Sequence, residues 1–298
     1  MDGEGQRRTV PPLAFTNHRQ TFVKEIDSEE ARTKVAMHRI LYVDGFNFYY
    51  GVTRYWHENK GLAGLGWCDF SALMQRNFPA PGRLSVKYFT APVFPNVELK
   101  QGKKGEHERY ALWRRAVETI KELEIVEGFY KRDDDAERPD GRPKARTEKQ
   151  TDVNLAVEML TDAFSAHDRP QHVFLLSGDF DRMPAVFAAH ERAPVPIDVT
   201  VLLPSNIEAR HWVARYDETR KRLRRQVPSR KFAGPGRRVD VLALNESMLA
   251  KSLLPYTLID AKGEKFDCPP YWRLSADYLE KQCANSSWRP DLNGIRPV

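Results

Sequence analysis

The sequence predicts an α/β fold, a mostly parallel central sheet flanked by helices, with extensions at both ends, and three observations carry that prediction. Short apolar runs of strand length recur from residue 39 onward, stretches of helical periodicity lie between them, and two of the runs end in acidic, glycine-bearing turns. Strands that alternate with helices of this length make βαβ units, and such units build a parallel sheet covered on both faces.

In chain order, residues 1–38 are polar and weakly periodic, with one helical stretch around Ser28 to Met37, and read as an extension. The strand runs are Ile40 to Val43, Leu84 to Thr90, Ile125 to Tyr130, Val173 to Leu176 and Ile197 to Leu203. The helical stretches are Phe70 to Phe78 behind an Asp69 cap, Glu106 to Leu123, Thr151 to Ala166 and Met183 to Glu191. Within Thr151 to Ala166 the apolar positions Val153, Ala156, Val157, Leu160 and Phe164 recur at three- and four-residue steps, which defines the face expected to pack on the sheet. Residues 133–147, DDDAERPDGRPKART, read as a surface loop. After Arg225 comes a basic linker, then Val239 to Leu254, which fits one more strand or helix. A hairpin turned at Lys262-Gly263 follows, with Tyr271 and Trp272 expected to anchor the tail. The expected organisation is an extension at 1–38, a main domain at 39–206, and a basic helix and linker with a C-terminal extension at 207–298.

A chain of 298 residues, 41% hydrophobic and 30% charged, can fill a real core, which excludes wholesale disorder. No window approaches 18 consecutive apolar residues, and the first twenty lack the apolar stretch of a secretory signal, so neither a membrane span nor export is expected. The three cysteines, Cys68, Cys268 and Cys283, lie far apart with no C-x-x-C, so neither a disulfide framework nor a cysteine zinc knuckle is indicated; a cytoplasmic location is expected. The net charge is +6, but from Arg210 to Arg238 eleven basic residues face two acidic ones. Such a stripe suits a polyanion, because neutralising phosphates releases counterions; a solvated helix face is the alternative. Its core, Arg220, Lys221, Arg222, Arg224 and Arg225, spans under two helical turns, so these side chains cannot all share one face of a packed helix.

Ligands of open parallel sheets bind beyond the carboxyl ends of the strands. The first strand runs into Asp44-Gly45-Phe46-Asn47, and the fourth into Ser177-Gly178-Asp179-Phe180-Asp181. Asp152 adds a third carboxylate in the first turn of its helix, where the dipole favours it. Each alone reads equally well as a cap, but together they would repel, and a hard cation such as Mg²⁺ or Mn²⁺ relieves that repulsion. No nucleophilic Ser or Cys has a neighbouring His, no G-x-x-x-x-G-K-[ST] loop is present, and no G-x-G-x-x-G follows a strand. An acid-only site with a basic flank points to metal-assisted attack of water on a phosphodiester. Tyr49, Tyr50, Tyr55 and Trp56 are expected to pack in the core, base stacking being the alternative.

At these residues the chain resembles the NYN branch of the PIN-like nucleases, the LabA-like group in particular. That family carries D-G-x-N after its first strand, K-x-x-D at a helix start and S-G-D-S-D-F after a later strand. Here they stand as Asp44-Gly45-Phe46-Asn47, Lys149-Gln150-Thr151-Asp152 and Ser177-Gly178-Asp179-Phe180-Asp181-Arg182, over about residues 39–206. The resemblance implies a Rossmann-like PIN-type domain and an Mg²⁺- or Mn²⁺-dependent endoribonuclease acting on single-stranded or structured RNA, tRNA included. It implies Asp44, Asp152, Asp179 and Asp181 as metal-holding and water-activating carboxylates. Asn47 and Ser177 are expected to orient a metal-bound water or a phosphate. The departures are Phe180 for the family's second serine, Arg182 for its phenylalanine and Glu158 for a common aspartate. Arg182 and the Arg220 to Arg225 stripe are expected to contact RNA phosphates, and a homo-oligomer is compatible with the sequence. The rival readings are a non-catalytic RNA-binding or regulatory protein, motivated by Phe180 and Arg182, and a structure-specific DNA nuclease.

Overall fold

The apolar runs do become strands. The computed structural model describes residues 37–60, 62–92, 106–131, 147–204, 208–226, 239–284 and 295–296. The readings for 1–36, for nearly all of the 133–147 loop and for the linker at 227–238 lie outside the described residues. The elements are β1 (His38–Asp44), α1 (Gly45–Lys60), α2 (Phe70–Asn77), β2 (Arg83–Thr90), α3 (Glu106–Val117), β3 (Leu123–Glu127), β4 (Phe129–Lys131), β5 (Thr147–Lys149), α4 (Thr151–Phe164), β6 (His172–Leu176), α5 (Met183–Arg192), β7 (Asp198–Leu203), α6 (Ala209–Gln226), β8 (Asp240–Ala243), α7 (Glu246–Ala250), β9 (Thr257–Ile259), β10 (Lys265–Asp267), α8 (Ala276–Cys283) and β11 (Ile295–Arg296).

Six strands form one sheet in the order β3-β2-β1-β6-β7-β8, and every neighbouring pair is parallel. The two-residue period sorts the apolar side chains into two layers. Leu41, Val43, Phe174, Leu176 and Leu202 join a core with α1, α2, α3 and the segment after β8. Ile40, Tyr42, Val173, Leu175, Val199, Val201 and Leu203 join another with α4, α5 and α6. Burial on both faces explains why these strands read as continuous apolar runs.

Four readings are corrected. The run from Ile125 to Tyr130 breaks at Gly128 into β3 and β4, and β4 turns away to pair antiparallel with β5. Gly128 donates its N–H to Thr90 O at 2.7 Å, and a Cβ there would meet Thr151 Oγ1 at 2.5 Å, so only glycine fits this crossing. A helix, α1, follows β1 where none was read, and it buries Phe48, Tyr49 and Val52. The face of α4 is shifted from that expected: Ala156 and Leu160 do pack on the second core, but Leu155, Met159 and Ala163 are its buried centre, whereas Val153, Val157 and Phe164 are 60%, 53% and 43% exposed. The phase is set at the first residue, because Thr151 is buried and donates its hydroxyl to Thr90 O, which turns 155, 159 and 163 inward. Tyr271 is exposed, and Trp272 alone is buried against the body.

The chain beyond residue 206 belongs to the same folded body, which spans residues 37–298. β8 continues the main sheet, and Leu249, Leu253, Leu254, Leu258 and Trp272 pack in the first core. The hairpin of β9 and β10 turns at 260–264 as read, with Asp260 Oδ1 accepting from the N–H groups of Lys262 and Glu264. Among the described residues no helix is long and apolar enough to cross a membrane.

Candidate active site

The sheet order reverses between β1 and β6. From β1 the chain builds outward through β2 to β3; from β6 it builds the other way through β7 to β8. Such a switch point opens a crevice beyond the carboxyl ends of the two central strands. Asp44 is the last residue of β1, and Ser177-Gly178-Asp179 leaves β6 beside it. The β4–β5 hairpin delivers the start of α4 to the same edge, with Asp152 in its first turn. Gly45 allows the tight turn out of β1, since a Cβ there would lie 2.6 Å from Phe89 O and 2.5 Å from the Tyr88 ring.

Asp44 is buried, 4% exposed, and both of its oxygens are engaged. Oδ1 accepts the N–H of Asn47 at 3.1 Å; Oδ2 accepts the Ser177 hydroxyl at 3.0 Å and Arg182 Nη2 at 3.0 Å. The same Nη2 also donates to Asp152 Oδ1 and lies 3.9 Å from Asp179 Oδ2. Three carboxylates from three elements therefore meet one guanidinium nitrogen. Burial raises the pKa of Asp44, an effect that Arg182, the Asn47 N–H and the Ser177 hydroxyl oppose. Burial alone would lower that of Arg182, but the surrounding carboxylates outweigh it and hold the proton more firmly than usual.

The remaining expected site residues divide clearly. Asn47 Oδ1 accepts the Gly178 N–H at 2.8 Å, and Ser177 Oγ accepts the Asp179 N–H at 3.1 Å while donating to Asp44. Both are spent on tying the β1 and β6 turns together rather than on a substrate. Asp181 is exposed, makes no ion pair with Arg182 and lines a separate cleft against α6. Arg182 is 3% exposed and sits among the carboxylates, so a phosphate cannot reach it in this position. Sequence reasoning missed this, although a signal was present: the position follows the buried Ser177-Gly178 turn, and an arginine buried there needs carboxylate partners.

The basic stripe separates by helix face. Trp212, Tyr216, Arg220 and Arg224 follow one another at four-residue steps on the inner side of α6. Arg220 Nη2 lies 2.5 Å from Glu191 Oε1 and Arg224 Nη2 2.5 Å from Oε2, clamping a carboxylate of α5 whose side chain is 1% exposed. These two arginines are structural, which corrects their reading as RNA contacts. Lys221, Arg222 and Arg225 are exposed.

The oxygens of Asp44, Asp152 and Asp179 are the donors a hard divalent ion takes, and the cluster already holds one cation. In chemistry the residues fit Mg²⁺ or Mn²⁺. As they stand, the guanidinium lies between them, and among the described residues no group of three or more His, Cys, Asp or Glu is arranged to hold an ion.

No protein-family model matches the chain. The chain is similar to 6-hydroxy-3-succinoylpyridine 3-monooxygenase HspA of Pseudomonas putida (strain DSM 28022 / S16), with 25% identity over 253 residues, spanning 70% of this chain and 75% of that protein. Among solved structures it is similar to a protein of unknown function from Vibrio parahaemolyticus RIMD 2210633, with 16% identity and a TM-score of 0.38, covering 71% of this chain and 94% of that one.

Proposed function

We propose that the chain is a cytoplasmic ribonuclease that hydrolyses RNA phosphodiester bonds at the Asp44–Asp152–Asp179 cluster. One observation carries this reading: carboxylates from β1, α4 and the turn after β6 converge on a single cation at the switch point of the sheet. Asp44, Asp152 and Asp179 would hold Mg²⁺ or Mn²⁺ if Arg182 left their midst, and such an ion would supply activation of water and neutralisation of the leaving oxygen. Ser177 and Asn47 keep Asp44 and the Asp179 turn in register. Incubation of the purified chain with single-stranded RNA, tRNA and DNA, each with Mg²⁺, Mn²⁺ or EDTA, tests the reading. RNA cleavage that EDTA abolishes is expected, and inertness toward every RNA under every ion refutes it.

A second reading rests on the curated relative, whose name describes a monooxygenase acting on a substituted pyridine. Under that reading the cluster serves a small aromatic acid instead of a nucleic acid. Consumption of 6-hydroxy-3-succinoylpyridine by the purified chain, under air with a reductant, would establish it. A non-catalytic RNA binder would bind the same strands without cutting them, and the cleavage assay separates it from the ribonuclease.

A further inference from the structure

Phe180 and Asp181 stand on the short turn that leaves the carboxylate cluster, between Asp179 and Arg182. Both line a cleft of about 380 Å³ between that turn and α6, which is within the range of small-ligand sites. Arg215, Glu218 and Arg222 project from α6 at three- and four-residue steps, so one face of the helix forms the opposite wall. Phe180 is 40% exposed. Arg215 and Glu218 are occupied with one another at 3.6 Å. Asp181 and Arg222 are not: they share the cleft, carry opposite charges, and form no ion pair with each other.

A carboxylate and a guanidinium held apart beside an open aromatic ring match a ligand with three parts: a flat face, an anion and an edge of hydrogen-bond donors. A nucleotide in a strand has all three. The ring stacks on the base, and the guanidinium meets the phosphate. The carboxylate selects the base, because it can only accept hydrogen bonds. Guanine alone offers two adjacent donors, N1–H and the N2 amine; adenine, cytosine and uracil place an acceptor next to each donor, which a carboxylate repels. We infer that this cleft binds a guanine nucleotide of an RNA strand, with Phe180 stacking on the base, Asp181 reading its donor edge and Arg222 holding the phosphate. The inference rests on the ribonuclease reading for its choice of RNA and names the base that the neighbouring cluster acts beside.

The test is equilibrium binding of the full chain, in EDTA, to labelled uridine oligomers carrying one guanosine, inosine, adenosine or no substitution. The guanosine strand should bind roughly tenfold more tightly than the uridine strand, with inosine, which lacks one donor, between them. Phe180→Ala should weaken every strand about tenfold. Asp181→Asn should erase the guanosine preference while leaving the uridine strand unaffected, and Arg222→Gln should reduce the salt slope by about one. All three positions are exposed, so circular dichroism should show an unchanged fold. Equal binding of all four strands, or a guanosine preference that survives Asp181→Asn, overturns the cleft while the ribonuclease reading stands. Binding of free guanosine monophosphate or of the matching DNA as tightly as the RNA overturns its assignment to an RNA strand. Failure of every oligonucleotide to bind removes the RNA reading itself.

Discussion

Two of the arginine–carboxylate clusters among the described residues have opposite stoichiometries. Beneath α6, one carboxylate, Glu191, is clamped by two guanidinium groups, those of Arg220 and Arg224. At the switch point, one guanidinium, that of Arg182, is shared by three carboxylates, those of Asp44, Asp152 and Asp179. Glu191 is saturated and closed off, as a structural pair has to be when both charges leave water. The Arg182 cluster keeps an excess of negative charge and grades from a buried Asp44 to Asp152 and Asp179 side chains that are 55% and 36% exposed.

The largest expected effect breaks the site cluster at its centre. Arg182→Met leaves Asp44 buried without its cation, and unfolding stability at pH 8 should fall by about 3–5 kcal/mol in denaturant titrations. The sign of its pH dependence follows from Asp44, whose pKa burial raises. The folded protein holds that proton more tightly than the unfolded chain, so stability present at low pH is lost as pH rises through the folded value. The deficit of the variant should therefore shrink on acidification. Mn²⁺ should raise the Tm of Arg182→Met more than that of the unmodified chain, because the ion no longer competes with a tethered cation; equal shifts would show that the two do not share a place.

Breaking the brace comes next. Glu191→Gln leaves two half-buried guanidinium groups without their counter-charge, and a loss of about 2 kcal/mol is expected in the same titrations. RNA binding in EDTA should stay as it was, since the Glu191 side chain is buried in its ion pairs with Arg220 and Arg224. A smaller structural effect and a larger functional one are expected at Asp179→Asn. Its partly exposed carboxylate lies 3.9 Å from Arg182, so stability should change by about 1 kcal/mol or less, while RNA cleavage falls to background. The smallest stability effect is reserved for Lys221→Gln combined with Arg225→Gln, within about 0.5 kcal/mol, together with a salt slope for RNA flattened by about two. An unaltered slope would make the outer face of α6 a solvated surface only.

The strands were legible because a parallel sheet covered on both faces forces apolar side chains onto both sides of each strand, and β1, β2, β6 and β7 fall within two residues of their runs. The cluster was legible in part: Asp44, Asp152 and Asp179 do meet, because strand ends and helix starts are fixed by the βα units themselves. What stayed hidden were choices between equivalent patterns. α4 carries two apolar stripes, and only the contact of Thr151 with β2 decides which turns inward. The basic stretch of α6 gave no hint of which arginines would be structural, since Glu191 lies 29 and 33 residues from its partners. Asp181 shows the same limit from the other side, because the turn at Phe180 rotates it away from its neighbour's contacts and into the cleft against α6.

The docking of the late segment onto the first layer has a consequence for how the chain is made. Asp69 N–H donates to Ser252 O at 2.7 Å, Leu254 N–H to Trp67 O at 2.9 Å, and Trp67 Nε1 to Pro255 O at 3.0 Å. The layer beneath α4, α5 and α6 is built mostly from residues up to Gln226, whereas Trp67 and Tyr49 wait for Trp272 for part of their cover. Until then that flank of the sheet is covered only by α1, α2 and α3, and part of its apolar surface stays open. A fragment cut at residue 206 would be arrested before that cover arrives.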